Sequence, residues 1–472
     1  MIFRSPDVRK YLDQMPLPDP ASLIDLYHLT FDDILAYLSD LRQLLSVSHN
    51  RHLQIAREWA CKTTTITPPI IDSVYANLGD YFDPDVIREN VEHQVGVKYL
   101  EGWIRQRMRN GQDVETRCFG ARCLHIIAGN MPVISALTIV RNAVMRSDAI
   151  IKLPSNDPFT APAIAQTMCE MAPDHPITKH LVVAYWRGGD ETLEQQLYQP
   201  ANIEKIIAWG GFASVKHVTG YIQPGMELIS FDPKRSTSIV GKEALASEAM
   251  MREAAARIAA DVGAFNQVAC VNARVVYVQC GTTEEGLQKL ERLGRYVYEA
   301  ILALPSSLST KAKRYDPELR ACVSSLRDDD EWYRVIGGEN DEGAVIVSRL
   351  AEAVSFAPRL ADRTTNLVPI DDLGEAVAAA NAYTQTVGVF PESVKAGLLD
   401  ILSLHGAQRF VSLGFAVAQC QASPQDGIEP LRRMGRWVTN EISRPGLVET
   451  PWLSVELLQG NGQRAAEAGK LS

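Results

Sequence analysis

A cysteine placed where a helical pattern has ended and a strand pattern has not yet begun can be reached by a substrate, and Cys270 is such a residue. It lies in FNQVACVNARVVYV, residues 265–278, between an Ala-rich helical run and a β-branched strand pattern. A thiolate attacks aldehyde and thioester carbonyls readily and leaves easily afterwards, so this position suits covalent acyl chemistry. The oxyanion that forms on the carbonyl needs donors, usually a backbone N–H with a side-chain amide. Asn130, in HIIAGNMP, stands at the carboxyl end of an expected strand, where ligands of an open α/β sheet gather. Each residue also has a plainer reading. An isolated cysteine is often a small buried hydrophobe, and Asn is a good helix cap. His125 lies inside an apolar strand and reads as a satisfied core histidine, while Asp426-Gly427 reads as a turn.

The elements that must carry these residues follow from periodicity. Residues 1–115 read as a mainly helical region. Thr30 with Asp32 and Asp33 signals a helix start, KTTTITPPI breaks the pattern, and a second helical block runs to Asn110-Gly111. From Leu124 the pattern becomes short apolar strands separated by helices: CLHIIAG, AIIKLP, LVVAYW, IEKIIAWG and ELISFD. That alternation predicts a parallel sheet covered on both faces. After the long helix KEALASEAMMREAAARIAADVG, a second α/β unit is expected, with strands at ARVVYVQC, GAVIVS, NLVPI, TVGVFP and HGAQRFVSLG. The expected division is a helical region 1–115 packing on a cofactor-binding unit 116–262, then a catalytic unit 263–420. A segment 421–472 would return to the cofactor unit or to an oligomer interface, its last residues, GNGQRAAEAGKLS, frayed.

Composition narrows the function classes. The chain has 472 residues, 46% hydrophobic and 22% charged, with a formal net charge of −10. A nucleic-acid footprint needs a basic face, which this balance does not favour. No apolar run approaches the ~20 residues of a membrane span. The charged start lacks a signal-peptide core, so a cytoplasmic location is expected. The eight cysteines form no CxxC pair, which argues against disulfides and a zinc site, and Cys169, Cys280 and Cys420 are expected to be buried.

With these residues in view, the chain resembles the aldehyde dehydrogenase superfamily. FNQVACVNARVVYV is similar to its cysteine motif, and AGNMPVISALTIVRNAVMRSDAIIKLPSNDP to its Asn and Lys-Pro-Ser-Glu region. Within that superfamily the chain most resembles LuxC-type acyl-CoA reductases, from about Val95 to Glu441. GVKYLEGW, SFDPKRSTSI, RTTNLVPIDDL, QTVGVFPES, GAQRFVSLG and DGIEPLRRMGRWVTNE carry the likeness in order. The resemblance implies an aldehyde-dehydrogenase-like fold of two parallel-sheet, Rossmann-like domains with a helical N-terminal region. It implies NAD(P)H-dependent reduction of a fatty acyl thioester to an aldehyde through an acyl-cysteine.

Carried onto this chain, Cys270 is the acylated nucleophile, and Asn130 with the Cys270 N–H holds the oxyanion. Lys152 matches the lysine that contacts the cofactor ribose, and Gly210 and Gly211 match the tight turn at the cofactor. Ser155 and Asn156 stand where NAD-preferring members often carry a glutamate, so NADPH is expected, with NADH possible. The implied partners are an acyl-CoA or acyl-carrier-protein thioester, an acyl-activating enzyme and further copies of the chain in a homo-oligomer. No metal is implied.

Three departures from the family pattern matter. The water-activating glutamate of oxidising aldehyde dehydrogenases is replaced by Ser230 or Phe231, with Glu227 three or four residues away. The His expected before Asp426 is Gln425, and Arg363 to Asn366 occupies the place of a cofactor-clamp motif. The alternatives are an oxidising aldehyde dehydrogenase, which requires Glu227 to reach the thioester, and a catalytically degenerate scaffold, which requires an unreactive Cys270.

Overall fold

The computed structural model describes residues 7–418 and 420–443. Its N-terminal block is built from helices with conventional start signals. Thr30 and Asp33 form a reciprocal capping box ahead of the Phe31–Leu44 helix. Asn50 caps the Arg51–Thr63 helix, and Thr67 precedes the Pro68–Ala76 helix. The apolar faces of these helices (Ile34, Leu38, Leu53, Ile70) share one core with Ile139 and Ile164 of the following α/β unit. The block therefore packs on that unit, because its stripes are too apolar to face water.

One expectation for this region fails. The second helical block ends at Gln94, and after a short helix, Val97–Glu101, the chain forms strands β1 (Ile104–Arg107) and β2 (Asp113–Phe119). They pair as an antiparallel hairpin, in which Arg105 and Arg107 both reach Asp113. The cause is not local: β2 also pairs with a strand over 300 residues later in the chain, β15 (Arg436–Ile442).

The expected alternation then appears in full. Strands β3 (Arg122–Ile126), β4 (Asp148–Lys152), β5 (Leu181–Ala184), β6 (Lys205–Trp209) and β7 (Glu227–Phe231) form a parallel sheet ordered β5-β4-β3-β6-β7. A second sheet contains β8 (Arg235–Val240), β9 (Ala273–Val278), β10 (Tyr333–Gly337), β11 (Ala344–Ser348), β12 (Thr365–Pro369), β13 (Thr384–Phe390) and β14 (Arg409–Ser412). Its order is β10-β11-β12-β9-β8-β13-β14, parallel throughout except for β10. The chain passes from one sheet to the other between Phe231 and Arg235. Strand β8 and the Glu248–Gly263 helix therefore sit with the second sheet, ahead of the residue 262/263 boundary read from the pattern.

The last described segment returns to the N-terminal block and the first sheet. The Leu431 N–H donates to Gln94, Arg433 pairs with Glu227, and Arg436 pairs with Glu204. The polar end GNGQRAAEAGKLS lies outside the described residues. Cys118 and Cys123 are buried, but Cys169 and Cys420 are exposed and Cys280 is half-buried, against expectation for those three. Isolated cysteines carry no sign of which face of an element they occupy.

Candidate active site

The loop that presents Cys270 is held in an unusual backbone. Phe265, Asn266 and Gln267 all have positive φ, at 53°, 54° and 64°. For residues with a Cβ this costs about 1–2 kcal/mol each, so the surroundings must hold it in place. They do so with hydrogen bonds. The Phe265 N–H donates to Leu308 O (2.7 Å), and Asn266 Oδ1 accepts from the Thr310 N–H (2.8 Å). Gln267 Nε2 donates to Ala273 O and Thr364 O, while its carbonyl accepts from the Thr364 N–H. On the far side, Asn272 ties Ala269 to Asp261, and Ser236 Oγ donates to Cys270 O at 2.8 Å. The polar residues around the cysteine are thus the frame that turns it outward.

Cys270 is exposed. Its sulfur is nevertheless surrounded by protein on most sides, as on the floor of a cleft. Burial and then the Asp426 carboxylate push the thiol up from its ordinary pKa. Gln385 and the N–H groups of Cys270 and Val271 pull it down. The Gln385 contact is direct: its Nε2 donates to Sγ at 3.2 Å. Neither Gln385 nor the depth of Asp426 was visible in the sequence. Asp426 does occupy the expected turn, with φ 52° and Gly427 after it, but it also hydrogen-bonds to Gln385.

Asn130 follows β3 and reaches the same loop, donating from Nδ2 to Val268 O at 3.3 Å. One N–H of that amide is uncommitted, and its buried Oδ1 has no partner among the described residues. It does not cap the next helix, whose N-cap is Pro132. His125 is fully buried against Asn142 Oδ1 (3.0 Å), its pKa pushed down to about 3 by burial, as a core histidine should be.

The remaining candidates lie at the carboxyl edge of the first sheet. Lys152 ends β4, with Nζ over the Trp186 ring at 5.6 Å. Burial pushes its ammonium down, and the nearby Glu194 carboxylate opposes that shift. Its Nζ has no hydrogen-bond acceptor among the described residues. Ser155 is exposed, whereas Asn156 is committed to the fold through Nδ2 to Gly129 O at 3.0 Å. Gly210 and Gly211 lie between β6 and the Phe212–Thr219 helix, and a Cβ at Gly211 would meet only open space. Gly211 caps that helix in an extended conformation.

Beside the cysteine lies a cavity of about 360 Å³. Ala269 and Val271, its two chain neighbours, line it together with Val74, Tyr81, Met131, Phe265 and Leu308. The N-terminal block supplies one wall. A larger apolar cavity of about 550 Å³ lies between β5 and that block, but no cysteine lines it.

Residues 26–437 match the family model described as Acyl-CoA reductase (LuxC). The chain belongs to the LuxC family. It is 28% identical over 339 residues to a long-chain acyl-protein thioester reductase of Aliivibrio fischeri, covering 71% of this chain and 67% of that one. A protein of the same name from Photobacterium phosphoreum is 27% identical over 375 residues, covering 78% and 72%. In fold, the chain is similar to an NADP-dependent glyceraldehyde-3-phosphate dehydrogenase from Bacillus halodurans, with TM-score 0.68, 11% identity and 92% and 91% coverage. An NAD-dependent benzaldehyde dehydrogenase from Corynebacterium glutamicum gives TM-score 0.66, 13% identity and 93% and 90% coverage. The fold is thus aldehyde-dehydrogenase-like, and the protein is an acyl reductase by family.

The LuxC chain's departures can now be placed. Glu227 opens β7, at the end of the strand opposite the carboxyl edge, where it binds Lys205 (2.7 Å) and Arg433. Phe231, at the carboxyl end, is buried and stacked on Trp209 at 3.9 Å, with Arg141 lying over both rings. Gln425 accepts from Arg141 at 2.7 Å. Arg363 is buried, donating to Ile301 O at 2.8 Å, so the segment in place of the clamp is built into the core. Arg432 lies over Trp437, while Arg433 and Arg436 form ion pairs within the chain. No helix among the described residues is long and apolar enough to cross a membrane, and no metal-ligand cluster occurs among them.

Proposed function

We propose that this LuxC-family protein reduces a fatty acyl thioester to the aldehyde through an acyl-Cys270 intermediate, with NADPH as hydride donor. One observation carries the reading. Cys270 is reachable, has hydrogen-bond donors aimed at its sulfur, and opens beside an apolar cavity, while Glu227 is engaged at the far end of its strand. A cysteine in that setting can accept an acyl group and keep it, because Glu227 is held away from the carboxyl edge and does not activate water against the thioester. An oxidising dehydrogenase would need that base, which argues against the first alternative. The donors on Sγ argue against an inert scaffold thiol.

The residues at the carboxyl edge of the first sheet suit a dinucleotide. Lys152 offers a half-buried cation without a hydrogen-bonding acceptor, and the open space before Gly211 admits a phosphate-bearing ligand at the Phe212–Thr219 helix. Lys152, Gly210 and Gly211 would hold the cofactor, and Ser155 puts no carboxylate at its own position, which favours NADPH over NADH. When bound, the reduced nicotinamide supplies the hydride. The chain's own residues do the rest. Cys270 takes the acyl group, and Asn130 with the Cys270 N–H stabilises the oxyanion. The cavity between Val74 and Leu308 holds the acyl chain away from water.

The test is acyl labelling. Wild-type protein given radiolabelled acyl-CoA or acyl-carrier protein, without cofactor, should trap label on Cys270, and Cys270→Ala should not. NADPH should then discharge the label as aldehyde more effectively than NADH. Equal labelling of the two proteins refutes the nucleophile assignment, and discharge as free acid favours an oxidising enzyme. The two donors separate coenzyme A from carrier protein, and the names of the relatives favour an acyl-protein donor.

A further inference from the structure

We propose that Gln385 is a catalytic residue that stabilises the Cys270 thiolate through one amide N–H, and that Asp426 is the positioning residue that fixes this orientation. The inference deepens the proposed function and rests on Cys270 as nucleophile. Gln385 lies on β13, a strand whose seven residues are all buried, and is itself 5% exposed. A primary amide in such a strand is costly unless hydrogen-bonded. Its bonds are uneven: Nε2 donates both to Cys270 Sγ and to Asp426 Oδ1, whereas Oε1 is buried with no partner among the described residues. Packing alone does not require that arrangement.

Asp426 explains it. A carboxylate only accepts, so turning the amide over would set Oε1 against Asp426 and remove the N–H from the sulfur. The backbone around Asp426 is built to point it inward. Its φ of 52° is unfavourable for a residue with a Cβ, and the turn is closed by reciprocal Gln425–Ile428 hydrogen bonds. Arg141 fixes the preceding Gln425 at 2.7 Å. Burial and the Asp232 charge raise the Asp426 pKa, while Gln385, Lys234 and Arg141 act to keep it ionised.

The sulfur carries negative charge twice in each turnover. It attacks as a thiolate, forming the Sγ–C bond as the donor's S–C bond breaks, and the departing donor thiolate takes a proton from water. After hydride from the reduced nicotinamide reaches the acyl carbon, the resulting alkoxide re-forms its carbonyl. The aldehyde leaves with its hydride, and the Sγ–C electron pair returns to sulfur. The Gln385 N–H is in place on both occasions. Asp426 itself opposes the thiolate by charge, and Arg274 and Arg409 are the cations that act on Cys270 from β9 and β14.

The experiment is the pH profile of Cys270 alkylation by iodoacetamide, followed at the Cys270 peptide by mass spectrometry on the full chain. Gln385→Met keeps the side chain's length and removes the donor; its midpoint should move up by about one pH unit, roughly a tenfold slower reaction below it. Asp426→Asn removes the charge but keeps an oxygen acceptor, so its midpoint should move down. Opposite shifts sustain the proposal. An unchanged Gln385→Met profile, or both variants shifting alike as local loosening would cause, overturns it. If Gln385→Met does not fold, Gln385→Leu takes its place under the same criterion. Alkylation needs no acyl turnover: opposite shifts with no acyl label on Cys270 would defeat the nucleophile reading and leave the contact standing.

Discussion

At the residue scale, the proposed chemistry depends on donors placed around two atoms, the Cys270 sulfur and the oxygen of the bound acyl group. Asn130 already reaches Val268 O on the cysteine loop at 3.3 Å and keeps one N–H free for that oxygen. Asn130→Ala should therefore lower kcat by about 10²–10³-fold and leave KM little changed, because the contact strengthens only as charge develops. Single-turnover kinetics with a saturating acyl donor checks this; a change confined to KM would refute it. The placement of Asn130 after β3 and of Cys270 after a helix was legible in the sequence, since local pattern sets both. Gln385 was not. It sits in QTVGVF, a strand whose register decides which side chains meet the loop, and nothing local reports that register.

At the element scale, the N-terminal helices wall the cavity beside Cys270. The Pro68–Ala76 helix contributes Val74 to the cavity beside Cys270. Val74→Phe should shift the preferred acyl chain to shorter lengths, read as kcat/KM across a series of chain lengths, with Cys270 alkylation unchanged. An unaltered preference would mean the chain binds elsewhere. The same block is fastened to the first α/β unit by Asn50. Its carbonyl caps the Arg51–Thr63 helix at the Leu53 N–H, and its amide reaches Thr167 Oγ1 at 2.8 Å and Leu44 O at 2.9 Å. Asn50→Ala should cost about 2 kcal/mol, because a cap and buried partners are lost together. Urea denaturation measures this, and a loss below a few tenths would show that the joint does not depend on Asn50.

At the scale of the whole molecule, a titratable group joins the block to the sheet. His180 lies between Asp148 (Nδ1, 3.0 Å) and Asp25 (Nε2, 3.0 Å). Burial lowers its pKa, but hydrogen bonding and charge from Asp148, then Asp25, overcome burial and hold it above 6.5. The folded state therefore binds the proton more tightly. The resulting stability is fully present below pH 6.5 and is lost as pH rises through the folded pKa. Thermal melts of wild type and His180→Gln from about pH 5.5 to 8.5 should differ most at the acid end. A gap that widens toward alkaline pH would reverse the assignment.

The sequence by itself determined the two parallel sheets, the place of Cys270 at the end of a helix, and the family. Those features are written locally, as apolar strand runs, caps and a short motif that frames its own loop. The tertiary structure alone decided the rest. Residues 104–119 became strands because β15 pairs with β2 from the other end of the chain. Glu227 stands away from the carboxyl edge because strand direction carries it to the far end of β7 and into an ion pair with Lys205. The Gln385–Asp426 pair formed beside the sulfur because β13 and a turn more than 30 residues later converge on the loop. Each is a contact between distant segments, set by sheet register and chain return, to which local periodicity is blind.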